Sequence, residues 1–297
     1  MMQTTLLKLH AQTAIHAGCG QNDSVIDLPV QRESHTGYPC IFGSSVKGAL
    51  RTHAETRSDL DAQVIARLFG KEGDINTGNT GAVLVSDARL LLLPMRSLTG
   101  QFFWVTCPNI LMRLVQDSKR FGKELSFKVP TVGAEEVLTN NNVQAGAKLY
   151  LEEYQFTKSK QPIDESIIKE LATYIAYDDA QALLTHQLAM ISDDNFAYLA
   201  KYTLPVTPHI ALDSQTKVTK NHALWYEETL PSDAVLYVGI MVEDERKKEG
   251  KAKQELAKEF SQMFNAHPWL QVGGNETVGM GWCSLKGLDG FAATVTE

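Results

Sequence analysis

Apolar and polar residues alternate in part from Thr4 through Leu6, Leu7, Lys8, Leu9 and His10 to His16, so the chain is expected to open with a strand over 4–16 that ends in the turn Gly18-Cys19-Gly20. A loop of about twenty residues follows, longer than the ~12–15 that connections in compact domains usually need, which marks it as functional or disordered. It contains Asp27, Pro29, Arg32 and Glu33. The period then changes. Val46, Ala49, Leu50 and His53-Ala54 recur at helical spacing behind Ser44 or Ser45 as N-cap, predicting a helix over about 45–57 with Lys47 and Arg51 on one face. A second short helix is expected to end near Leu68-Phe69-Gly70, with strands over 81–93 and 101–107 after it. Further on, 149–156 alternates as a strand, 164–177 is helical, 234–242 is a buried strand, and a strongly charged helix spans 244–264. Between Pro205 and Pro231 two β-rich runs flank the polar tip Ser214 to Lys220, the outline of a protruding hairpin. No repeat or low-complexity tract is visible. Strands and helices mixed without regular βαβ alternation predict an α+β fold.

Composition adds little to this picture but excludes much. A chain of 297 residues, 43% hydrophobic and 21% charged, is globular and long enough for one large core or two modest ones. Its longest uncharged apolar runs, 90–93 and 234–242, are far shorter than the roughly 18 residues a bilayer span requires. Met1 to Thr5 offers no basic region followed by an apolar one, so a cytoplasmic location is expected. Cys19, Cys40, Cys107 and Cys283 are scattered without a CxxC pair, which argues against a zinc knuckle or a disulfide framework. The net charge of −7 argues against a polyanionic partner unless cations are concentrated locally. Arg113, Lys119, Arg120, Lys123 and Lys128 against Asp117 and Glu124 make one such concentration, and a solvated helical face explains it equally well.

Four constellations can carry chemistry. The run Gly43-Ser44-Ser45-Val46-Lys47-Gly48-Ala49-Leu50-Arg51 leads small residues into a helix with two cations, an arrangement that can hold phosphate; it lacks the GxxxxGK[ST] spacing, so nucleotide hydrolysis is disfavoured. Asp27, on the long loop just after His16, is a carboxylate able to bind a divalent ion or move a proton at a phosphodiester. Loop aspartates more often shape turns, and strand-end histidines often have no task. Gly273, Gly274, Gly279 and Gly281 fall within nine residues and permit close approach of another backbone, as they also would in a plain turn. At the hairpin tip, Lys217 and Lys220 can meet phosphates while apolar neighbours wedge between bases; an ordinary surface hairpin fits as well.

Taken together and in order, these segments resemble the RAMP (repeat-associated mysterious protein) superfamily, most closely the backbone subunits of type III-B, or Cmr, CRISPR effector complexes. The carriers are His16-Ala17-Gly18, Ile26-Asp27-Leu28-Pro29-Val30-Gln31-Arg32-Glu33, His35-Thr36-Gly37-Tyr38-Pro39, the run Gly43 to Arg51, and Gly273-Gly274-Asn275-Glu276-Thr277-Val278-Gly279-Met280-Gly281-Trp282. The resemblance spans nearly the whole chain, with about 95–200 its least diagnostic part. It implies one RAMP domain over 1–297, with a modified ferredoxin-like (RRM-type) palm, a helical insertion at about 108–145, and a β-hairpin thumb at about 205–225. It also implies copies stacked head to tail along a CRISPR guide RNA, beside other Cmr subunits, with the thumb interrupting the guide–target duplex.

By the same resemblance, bound target RNA is cut at regular intervals in a reaction dependent on a divalent ion (Mg²⁺ or Mn²⁺). Asp27 is the expected catalytic and metal-binding residue, with His16, Tyr226 and Glu227 beside it. Lys47 and Arg51, with Ser44 and Ser45, are expected to grip the guide; Lys217, Lys220, Gly273, Gly274, Gly279 and Gly281 are expected RNA contacts. Met280 departs from the pattern, standing where relatives often carry a basic residue. Chemistry permits so spare a site, because the substrate's own 2′-hydroxyl can attack and the protein need mainly distort the backbone and stabilise charge. Two other readings stay open: a purely architectural guide-RNA-binding backbone, and a stand-alone ferredoxin-like nuclease that processes precursor RNA.

Overall fold

The computed structural model describes residues 2–21, 25–56, 61–71, 79–213, 215–246, 250–288 and 290–293, without the side chains of 79, 220–223 and 293. The first half of the chain forms β1 (Gln3–Ala11), β2 (Cys40–Ile41), α1 (Gly43–Glu55), α2 (Ala62–Phe69), β3 (Gly70–Lys71), β4 (Asn79–Thr80), β5 (Val83–Val85), β6 (Ala88–Ser97), β7 (Gln101–Thr106) and α3 (Pro108–Arg120). Then come β8 (Glu136–Val137), β9 (Lys148–Leu151), β10 (Tyr154–Lys158), α4 (Glu165–Ala172), α5 (Ala180–Gln187), β11 (Leu188–Met190) and α6 (Asp193–Tyr202). The last third holds β12 (Val206–Leu212), β13 (Thr219–Glu228), β14 (Val235–Val242), α7 (Lys253–Asn265), β15 (Trp269–Gln271), β16 (Trp282–Lys286) and β17 (Ala292–Ala293).

The main sheet runs β11-β7-β6-β14-β1-β16-β15. β1 lies between β14 and β16, antiparallel to both, with Gln3 opposite Val242 and Lys8 opposite Lys286. The order β6-β14-β1-β16, with α1 following β1 and α7 following β14, is the β-α-β-β-α-β succession of a ferredoxin-like unit, so the α+β expectation holds. Strand alternation assigns the two faces. Leu7 and Leu9 are fully buried, whereas Lys8 and His10 reach the other way, to Thr173 and Ala176. α1 and α7 meet where His53 stacks on Phe264 (centroids 5.7 Å apart), and α2 joins them through Phe69 and Phe260. On the opposite face Phe121 fills the space left by Gly239, where a Cβ would sit 2.0 Å from its ring. No described helix is long and apolar enough to cross a membrane.

Several elements differ from the sequence expectation. β1 stops at Ala11 rather than near 16, because Gln12 and Thr13 turn to donate to Trp282 O and Ile15 pairs with Leu230. The run 149–156 is two strands around a tight turn with Glu152 at φ 50°, and Leu149, Leu151 and Phe156 all stay buried across it. The strand expected over 81–93 divides at Ser86-Asp87. Asp87 there accepts the Gly43 amide (2.7 Å) and so stabilises the start of α1 from a distance. Neither Ser44 nor Ser45 is the N-cap; that position is Phe42, with no side-chain cap.

The charged helix begins only at Lys253, whose amide donates to Asp244 (2.9 Å) across an irregular segment that includes Gly250. Gly250 packs so tightly on Glu245 that a Cβ would lie 2.6 Å from its carbonyl oxygen. Lys247, Lys248 and Glu249 of that expected helix lie outside the described residues. The basic concentration around α3 is largely spent within the chain: Arg113 pairs with Glu33, Arg120 with Asp117, and Lys123 with Glu170.

Candidate active site at the hairpin root

The hairpin of β12 and β13 forms a two-stranded sheet of its own, and its root is where the sequence-defined segments meet. Residues 27–28 run beside β13 as a short parallel strand. Leu28 N donates to Tyr226 O, Glu228 N donates to Leu28 O (both 3.0 Å), and Leu28 bridges Glu227. Asp27, half-buried, enters the same ladder through its side chain, with Oδ2 accepting the Tyr226 amide at 2.8 Å. Among the described residues, none donates a hydrogen bond to its other carboxylate oxygen. Further along, Gly18 bridges Val30, and Gln31 N donates to Ala17 O (2.8 Å), which brings His16 to the same place.

His16 lies 2.8 Å from the Glu228 carbonyl through Nδ1. A carbonyl only accepts, so Nδ1 carries a proton, and Nε2 is the ring nitrogen left to exchange one. Nε2 occupies the space beside Gly18, where a Cβ would come within 2.7 Å. Glu227 is 4% exposed; its Oε1 accepts from Asn275 Nδ2 (2.5 Å) and lies 3.9 Å from His16 Nδ1. The glycine-rich segment closes over this group. Gly274 N donates to His16 O (2.9 Å) and Gly281 N to Ala14 O (2.8 Å). Gly273, at φ 90°, leaves only 2.3 Å between a would-be Cβ and His16 O. Gly273 and Gly281 thus serve the packing of the chain against itself, while Gly279 faces open space. Tyr226, whose amide meets Asp27, is 41% exposed on the hairpin surface.

The remaining expected residues lie farther out. α1 is joined to the site by Gln31, whose Nε2 donates to Gly18 O (3.0 Å) and Ser45 Oγ (3.2 Å) while its Oε1 accepts from Phe42 N (2.6 Å). Ser44 is exposed. Lys47 gives its ammonium to Val83 O (2.8 Å), and burial, with Arg51 nearby, pushes its pKa down. Arg51 pairs with Glu55 at 2.7 Å. Lys217 is exposed at the hairpin tip with φ 57°; the side chain of Lys220 lies outside the described residues. Sequence reasoning passed over Glu228, Gln31 and Asn275 as site residues, and gave Arg32 no role. The structure shows what marks Glu227 and Glu228 at the end of β13: adjacent strand residues face opposite ways, yet both carboxylates are buried.

A divalent ion can be tested against these donors. Among the described residues no three His, Cys, Asp or Glu side chains cluster as a metal cage. Asp27 is one carboxylate with an oxygen to spare, which suits an ion shared with phosphate oxygens and water, the usual manner of Mg²⁺.

The fold and the convergence at Asp27 define a ferredoxin-like α+β protein with a hairpin-root site built from four loop segments. The chain belongs to the RAMP superfamily, whose family model matches residues 8–284. It is 32% identical over 287 residues to the CRISPR system Cmr endoribonuclease Cmr4 of Pyrococcus furiosus, covering 96% of this chain and 95% of that one. The crystal structure of oligomeric Cmr4 from Pyrococcus furiosus superposes with a TM-score of 0.74 at 29% identity, over the full length of both chains. A chain of the type III-B Cmr-beta complex bound to cognate target RNA, seen by cryo-electron microscopy, shares the fold with a TM-score of 0.72 at 20% identity, over 96% of this chain and 97% of that one.

Proposed function

We propose that this chain is the endoribonuclease backbone subunit of a type III-B Cmr CRISPR complex, and that Asp27 carries the cut in bound target RNA. The observation that supports it best is the convergence of the Asp27 loop, His16, the hairpin root and the glycine-rich segment at one place, in a chain 32% identical along 96% of its length to a Cmr endoribonuclease.

The hairpin enters the guide–target duplex and holds one nucleotide out of the stack, presenting its phosphate at the root. The exposed Tyr226 ring stacks against a base beside the break. Asp27 stays fixed by the Tyr226 amide, so its free oxygen keeps one position as the RNA backbone is drawn into line. The 2′-hydroxyl of the nucleotide on the 5′ side attacks the phosphate, forming a 2′,3′-cyclic phosphate as the P–O5′ bond breaks; His16 Nε2 is the ring nitrogen available to take the 2′-hydroxyl proton, and the leaving 5′-oxygen takes up a proton from water. Glu227 is turned inward to Asn275 and His16, which suits it to orienting the imidazole rather than touching RNA. A Mg²⁺ or Mn²⁺ ion held by Asp27 together with substrate oxygens would supply charge neutralisation at the phosphate. Copies stack head to tail along the guide RNA, and base pairing rather than protein contacts reads the sequence.

The test is cleavage of labelled, guide-complementary RNA by the reconstituted complex with Mg²⁺ or Mn²⁺, native against Asp27→Ala. Loss of the evenly spaced products with target binding intact is expected. Unchanged cleavage would remove Asp27 and leave the subunit an architectural RNA holder.

A further inference from the structure

We infer that the pair formed by half-buried Arg32 and buried Glu228 is a positioning couple for the cut: it locks the Asp27 loop and His16 to the hairpin root, so that the seating of the hairpin on RNA sets where Asp27 stands. The inference rests on the reading of Asp27 given above.

Glu228 ends β13 and is 3% exposed. Each of its backbone and side-chain hydrogen-bonding groups goes to one of the two segments that carry the candidate residues. Its N–H donates to Leu28 O (3.0 Å), and its carbonyl accepts from His16 Nδ1 (2.8 Å). Its Oε2 accepts from Val30 N (3.0 Å), and its Oε1 from Arg32 Nη2 (2.6 Å).

Arg32 carries the lock outward. Nη1 donates to Gly37 O (3.0 Å) and Ala200 O (2.9 Å), and Nη2 also reaches Lys201 O (3.4 Å), so the guanidinium sits at the C-terminal end of α6, where a helix favours a cation. The two neighbouring glutamates divide the work: Glu227 holds the glycine-rich segment through Asn275, and Glu228 holds the Asp27 loop. The loop cannot slide along the hairpin without breaking a charge-assisted bond to the buried Glu228 carboxylate. A hairpin that tilts as it enters a duplex therefore carries Asp27 with it.

Single-turnover cleavage and target affinity, measured separately in the reconstituted complex, test this with Glu228→Gln, Arg32→Lys, Asp27→Ala and Arg89→Gln. Both lock variants are expected to lose tenfold to a hundredfold in cleavage rate, on the order of what a displacement of about 1 Å costs, with target Kd unchanged. Arg32→Lys, which keeps the charge, is expected to lose less. Arg89→Gln breaks a different pair, between half-exposed Arg89 and buried Asp117 of α3 (2.7 Å), and is expected to lower heat stability while cleaving at the native rate below its melting temperature. Native cleavage by Glu228→Gln and Arg32→Lys, with Asp27→Ala inactive, would overturn the inference and leave the Asp27 reading standing. Native cleavage by Asp27→Ala would overturn both. If Glu228→Gln does not assemble, the rate-against-affinity split of Arg32→Lys decides.

Discussion

Gly273 combines two demands that only glycine meets, a φ of 90° and a backbone oxygen, that of His16, within 2.3 Å of where a Cβ would be. The run of glycines was visible in the sequence, but its purpose was not, because the spacing of glycines cannot say whether the approaching backbone belongs to RNA or to the chain. Gly279, also at positive φ (82°), has nothing within 4 Å of a would-be Cβ. The two substitutions therefore separate strain from collision. Gly279→Ala should cost only the left-handed conformation, about 1 kcal/mol, whereas Gly273→Ala should cost about 3 kcal/mol or more as the chain around His16 is pushed aside. Thermal melts of the two variants check this, and equal shifts would mean that the His16 contact yields freely. The same limit explains Glu228. A glutamate beside another glutamate gives no sequence sign of which loop each one holds, because Arg32 and Val30 lie almost two hundred positions away.

Hairpins and helices were legible to the extent that their determinants are local. The β12–β13 hairpin follows from two β-rich runs around a polar tip, and the structure adds how the tip is made: Asp213 accepts from the amides of Gln215 (3.0 Å) and Thr216 (2.8 Å). Those amide bonds hold the Asp213 carboxyl below its usual pKa. The charged helix starts later than its charges suggest, at Lys253, whose amide is held by Asp244 nine positions upstream while Ala252 at the N-cap offers no side-chain bond. α1 was placed well, but its starting amide is held by Asp87, forty-four positions onward. An isolated two-stranded ribbon is marginal in water, so the β12–β13 hairpin depends on its root and on the stacking of His209 on Trp225 (5.5 Å between centroids). Asp213→Ala should speed amide hydrogen exchange at Gln215, Thr216 and Lys217 at least about tenfold, while the global melting temperature moves by less than about 2 °C. Exchange confined to its native rate would show that the strands alone hold the tip.

At the scale of the molecule, the region between β7 and α6 docks on the sheet through buried and half-buried polar groups on the face that also carries Lys8. Lys8 donates to Thr173 Oγ1 (2.7 Å) and lies 4.4 Å from the centre of the Tyr174 ring; Lys286 reaches Ile175 O (2.6 Å), and Tyr177 and His10 both reach Asp233. Burial, reinforced by Lys123 and Lys286 and opposed by Glu170, pushes the Lys8 pKa down to about 8 from an unfolded value of 10.5. A base whose pKa falls on folding destabilises the native state while it stays charged. Between about pH 8 and 10.5 the unfolded chain holds more protons than the folded one, so this contribution to stability rises with pH across that window. Lys8→Met removes the term. Relative to that variant, the native melting temperature should therefore gain roughly 2–4 °C between about pH 7.5 and 9.5, whatever other groups titrate in both proteins. Parallel curves for the two would mean that Lys8 keeps an ordinary pKa in the fold, and that the region between β7 and α6 sits on the sheet without confining that charge.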